Sequence, residues 1–67
     1  MGWAEKEMVE GYRDGLDPSQ PEPSGNRSRS YRHGFTNGRD DRANKPRASA
    51  EILRLDAEAA IIADERA

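Results

Sequence analysis

The chain has 67 residues, a net charge of -2 and no cysteine, so a disulfide framework is excluded and at most one small domain can form. Its few large apolar side chains suffice for one mini-core but not also for the wall of a ligand cavity, and no apolar run is long enough for a signal-peptide core or a membrane span. No cofactor, small-molecule substrate or catalytic activity is expected, and the composition reads as that of a soluble, cytoplasmic protein.

Charge is distributed as acidic, basic, acidic. Residues 21–50 carry Arg27, Arg29, Arg32, Arg39, Arg42, Lys45 and Arg47 against Glu22, Asp40 and Asp41, whereas acids outnumber bases on both sides. The middle third therefore holds a candidate phosphate-facing patch.

In the first segment Ala4, Met8, Tyr12 and Leu16 recur every four residues, with Trp3 and Val9 beside them and charged residues opposite. This pattern predicts an amphipathic helix over about 3–15. Gly15 suits a left-handed C-cap, and Asp17-Pro18 discourages continuation. From Asp17 to Ser30 the chain has Pro18, Pro21 and Pro23 and no aliphatic or aromatic side chain before Tyr31, the composition of a flexible linker.

Ser30 is positioned to cap a second helix over about 31–41, with Tyr31 and Phe35 on one face and Gly34 and Gly38 beside them. Here the sequence repeats itself. Gly11-Tyr12-Arg13-Asp14-Gly15 is echoed by Gly34-Phe35-Thr36-Asn37-Gly38, and each copy has an acid two residues on, Asp17 and Asp40. Each helical glycine costs about 1 kcal/mol relative to alanine, so the repeated pairs imply close backbone approach. An antiparallel pairing of the two helices is expected, aromatic against glycine in both directions.

A second connector, Arg39 to Pro46, leads to a third helix over about 47–65. Ile52, Leu55, Ala59 and Ile62 alternate at spacings of three and four, a coiled-coil-like seam, while Leu53, Ala57, Ala60 and Ile61 widen the apolar surface. One side is expected to touch the helix pair and the other a second copy or a groove on another protein.

Three constellations invite a chemical reading. His33 stands alone, without a nucleophile motif or second histidine, and reads as a packing or solvent-facing residue. Asp14, Asp17, Asp40 and Asp41 lack the spacing of a calcium loop and read as helix-end carboxylates, so no metal is expected. The stronger candidate is Arg27-Ser28-Arg29-Ser30-Tyr31-Arg32, which interleaves guanidinium groups with hydroxyls and an aromatic ring. That composition suits phosphate contacts from Arg27, Arg29 and Arg32 with a base stacked on Tyr31.

The segment from about Glu7 to Asp41 resembles the ribosome modulation factor family of small bacterial proteins. The resemblance is carried by Gly11-Tyr12-Arg13-Asp14-Gly15, a proline-containing connector, Tyr31-Arg32-His33-Gly34-Phe35 and the following Asn37-Gly38-Arg39-Asp40. It implies a helical protein that binds the small ribosomal subunit near the 3′ end of its RNA, blocks initiation and promotes ribosome pairing, with Arg27, Arg29, Arg32, Arg39 and Arg42 on RNA phosphates. The acidic third helix lies outside the resemblance. The expectation is thus an all-α, three-helix protein, its two short helices paired through the Gly-aromatic repeat and followed by a longer amphipathic helix. Its expected role is non-catalytic association with RNA or the ribosome, or alternatively protein binding as an adaptor or inhibitor through Ile52, Leu55, Ala59 and Ile62.

Overall fold

A computed structural model of the chain describes residues 2–45 and 49–66. It is all-α among those residues, with α1 at Trp3–Gly15, α2 at Arg29–Ala43 and α3 at Ala50–Arg66. Pro46 and Arg47, where the sequence places the opening of the third helix, lie outside the described residues. Two helix starts are set by serine. Ser28 Oγ accepts from the Tyr31 N–H at 3.0 Å and Ser49 Oγ from the Ile52 N–H at 3.3 Å, each relieving a first-turn donor of its missing partner.

The repeat is the core of the fold. Gly11 lies against the backbone of Tyr31 and Phe35, and Gly15 against that of Phe35 and Arg39; in return Gly34 lies against Met8 and Tyr12, and Gly38 against Tyr12 and Leu16. Shifting every residue of the first set, forward or back, by the 23 positions that separate Gly11 from Gly34 generates the second set. The two helices are therefore related by a pseudo-two-fold axis running along the pair, and their residue numbers rise together. They are parallel, not antiparallel as the sequence suggested. The connection permits this: α1 is ~20 Å long, and residues 16–28 reach up to ~40 Å when extended, ample to return to the starting end.

Backbone-to-backbone packing sets what is buried. Ala4, Gly11, Gly15, Ser30, Tyr31, Gly34, Phe35 and Gly38 are buried. The two rings that fill the seam, Tyr31 and Phe35, have centroids 6.2 Å apart. Gly15 serves as a contact and not as the left-handed cap expected of it: α1 ends on Leu16 at φ -72°, and the one described non-glycine residue with positive φ is Asn44, which ends α2. Ser28 rather than Ser30 caps α2, and α2 extends through Arg39–Ala43 where the sequence suggested a connector. Asp17 folds the chain away from α1, its carboxylate accepting from the Ser19 N–H at 2.9 Å and the Ser19 hydroxyl at 2.8 Å; these bonds hold its carboxyl below the usual range.

Parallel helices place two positive dipole ends side by side. The third helix answers this by running antiparallel to both, so that its acidic C-terminal turn reaches their N-termini. Asp64 accepts from the backbone N–H of Arg29 at 3.1 Å and of Ser30 at 2.7 Å, and Glu65 accepts from the Ala4 N–H at 3.4 Å.

Candidate docking faces on the second and third helices

Most of the basic segment is committed to the fold. The Tyr31 ring is 5 % exposed, the Arg27 guanidinium carbon stands 3.5 Å from its centroid, and its hydroxyl donates to Asp14 at 2.6 Å. Burial first, and then the bond to Asp14, push the Tyr31 hydroxyl up to about 12. In this fold the ring offers no open face for a stacked base, which corrects its expected role. Arg27 also spans Glu10 at 3.4 Å and Glu7 at 3.9 Å, and Arg39 pairs with Glu22. These ties pin the proline-rich segment to both helices, although most of it stays exposed.

Arg29, Arg32 and Arg42 remain exposed. Arg29 and Arg32 lie one turn apart on the side of α2 facing away from α1, and no carboxylate among the described residues is within ion-pairing distance of either. Arg32 Nε does reach the Ser28 carbonyl, at 3.5 Å. Arg42 stands at the far end of α2, separated from this pair by three turns. Of the six residues expected to meet RNA, the structure thus brings two together on an open face.

Asp14 and Asp41 anchor tyrosines across the helix pair. Besides the Tyr31–Asp14 bond, Tyr12 donates to Asp41 at 2.5 Å, so that each of the paired helices holds a phenol of the other. His33 faces Asn37 one turn on, with 3.2 Å between Nε2 and Nδ2. Among the described residues there is no cluster of three potential metal ligands, no enclosed pocket and no helix long and apolar enough to cross a membrane.

The third helix presents two apolar stripes on opposite sides. Leu53, Ala57, Ala60 and Ile61 are half-buried against the helix pair, in line with Asp64. Opposite them, Ile52, Leu55 and Ile62 are 51 %, 50 % and 52 % exposed, and Ala59 between them is exposed too. All four residues of the expected seam therefore share one uncovered face. A helix that needed only to cover α1 and α2 would carry polar residues there.

What sequence reasoning missed is the anchoring role of Asp64 and Glu65. Burial works against the charge on Asp64, but the Ser30 hydroxyl, the Ser30 and Arg29 N–H groups and the Arg29 charge outweigh it and hold the carboxyl below its ordinary range. The Ser30 Oγ completes no well-formed hydrogen bond among the described residues; its influence on Asp64 is one of proximity. Two acids in the last turn of a helix stand against that helix's own dipole. Their placement was the available signal that another helix's N-terminus receives them.

Comparison with known proteins returns no matching family, no matching curated protein and no matching solved structure.

Proposed function

We propose that this is a non-catalytic binding protein that docks onto another protein through the outer face of α3. The observation that carries the reading is the exposure of Ile52, Leu55 and Ile62 in one line, opposite the stripe already packed on the helix pair. Three half-exposed large aliphatics in a row leave an apolar surface of the kind that marks partner sites. The α1–α2 pair then serves as a rigid base, and the Asp64 and Glu65 bonds fix how α3 is presented. The test is site-specific photo-crosslinking in cells from position 59, at the middle of the stripe. A discrete protein adduct that disappears in Ile52→Asp and Ile62→Asp variants supports the reading, because a charge buried without a partner costs several kcal/mol. The absence of any adduct from position 59 overturns it.

A second reading, association with RNA or the small ribosomal subunit to modulate translation, is favoured by one observation. Arg29 and Arg32 are exposed, adjacent and without an ion pair among the described residues. It predicts co-sedimentation with ribosomal particles that is lost at high salt, as counterion release requires, and that is weakened by Arg29→Gln and Arg32→Gln while tolerating Ile62→Asp.

A further inference from the structure

The charges that edge the outer stripe of α3 identify the chemistry of what covers it. On a heptad frame Ile52 and Ala59 take the a positions and Leu55 and Ile62 the d positions, which places Glu51, Glu58 and Glu65 at g and Asp56 and Ala63 at e. Residues at e and g stand beside the seam and set which partner helix is accepted and in which direction. The only cations of α3 are Arg54, held by Glu58 at 3.0 Å, and Arg66, which ends the stripe. One margin of the apolar surface therefore carries Glu51 and Glu58 and the other Asp56, with Glu65, whose carboxylate accepts from the Ala4 N–H, at the end of the first.

We infer that the outer face of α3 receives a basic amphipathic helix of another protein, an apolar seam flanked by lysine or arginine. The inference rests on the docking reading above and adds the partner's chemistry to it. A second copy of this chain is the obvious competitor, and the charges disfavour it. The antiparallel register that sets Ile52 on Ile62 and Leu55 on Ala59 of the other copy also sets Glu58 against Glu58, Asp56 against Asp56 and Glu51 against Glu65. The parallel register sets Glu51 against Asp56. Neither register yields an attractive pair across the seam, and like charges at these positions destabilise the pairing. The same acidic margins repel nucleic-acid phosphates and anionic membrane surfaces from this face.

The experiment uses the full chain and two labelled probe helices with the same Ile/Leu seam, one carrying lysine at every e and g position and the other glutamate. Fluorescence anisotropy measures binding of each at low salt, and sedimentation equilibrium measures the mass of the chain alone. The lysine probe is expected to bind at least roughly tenfold tighter than the glutamate probe, the combined effect of several flanking pairs. The double variant Glu51→Lys/Glu58→Lys is expected to invert that order, while Glu5→Lys, on α1, leaves it in place; far-UV circular dichroism confirms that both variants keep their helices. Equal binding of the two probes overturns the basic-partner inference and leaves the docking reading standing. Binding of neither probe by a monomeric chain overturns both. A chain that dimerises and loses the dimer in Ile62→Asp also overturns the inference, the occupant then being a second copy.

Discussion

The seam between α1 and α2 and the attachment of α3 are built on different principles. At the seam, four glycines bring two backbones into direct contact, with the Tyr31 and Phe35 rings packed alongside, and an added Cβ at any of the four falls within contact distance of a carbonyl oxygen of the other helix. Nothing there can move aside, because the obstructing atoms are backbone. The third helix has no buried residue; it is held by half-buried aliphatic side chains and by two terminal carboxylates. One interface is specified by the absence of side chains, the other by a few polar ends. The first tolerates almost no change, while the second is adjustable and leaves a full face of α3 uncommitted.

The largest expected effect comes from breaking the seam. Gly34→Ala drives a Cβ into the Met8 carbonyl, a backbone overpacking expected to cost about 3 kcal/mol and so to outweigh the gain of about 1 kcal/mol in helix propensity. Thermal unfolding followed by circular dichroism should show loss of most of the cooperative transition. Gly25→Ala is the control, since no atom lies within 4 Å of its added Cβ and its φ is not positive. If the two variants melt alike, the close-packed seam is not what holds the fold.

A second way to strain the seam is through the phenol that crosses it. Tyr31→Phe removes the bond to Asp14 and is expected to cost about 1.5 kcal/mol, read from urea denaturation. The titration supplies an independent check. Because the folded-state value is raised to about 12 from an ordinary 10, the linked stability is intact below pH 10 and lost as pH rises toward 12. Tyr31→Phe should lose stability less steeply over that interval than the parent protein does.

Much of this arrangement is legible in the sequence. The three helices follow from apolar periodicity, and the echo of Gly11-Tyr12 in Gly34-Phe35 is enough by itself to locate the central contact. The direction of the pair is not legible, because glycine and aromatic spaced around a turn fit against their counterparts in either orientation. The linker is long enough for either, and the acids of the third helix, which meet both N-termini, go with the parallel one. Ser28 and Ser30 are equivalent as caps in the local sequence; Ser30 is buried beside Asp64 of α3, and Ser28 takes the cap. The double-sided character of α3 is visible as excess apolar surface, although which stripe is covered depends on Asp64, whose position in line with Leu53, Ala57 and Ala60 turns that side toward α2. The basic segment misleads for a related reason: Arg27 and Tyr31 look available until the acids of α1 are brought beside them.

The weaker interface yields a smaller effect. Asp64→Ala removes the acceptor for two first-turn N–H groups of α2 and is expected to cost about 1 kcal/mol, the value of a helix cap. Hydrogen exchange should quicken at the Arg29 and Ser30 amides while the amides of Gly34 to Gly38 keep their protection. Since the folded Asp64 carboxyl lies below its ordinary value, this contribution is present above the ordinary carboxylate range and is lost as pH falls through the folded value. Asp64→Asn should abolish that acid-dependent part of the exchange.

The smallest expected change in stability is the one most informative about function. Replacing Ile62, 52 % exposed on the outer stripe, by serine should alter the unfolding free energy by no more than about 0.5 kcal/mol. Ile61→Ser, one residue earlier and half-buried toward the helix pair, should cost about 1 kcal/mol or more as part of its aliphatic packing is lost. Neighbouring isoleucines of the same helix are thus expected to respond differently in two assays, Ile62 in binding of the lysine probe helix and Ile61 in stability. Equal destabilisation by both would mean that α3 packs through its outer stripe as well, and that the face is occupied within the chain. A neutral Ile62→Ser that also loses partner binding would separate the two stripes by function, and no difference in helix propensity explains that separation, since the original and introduced residues are the same at both sites.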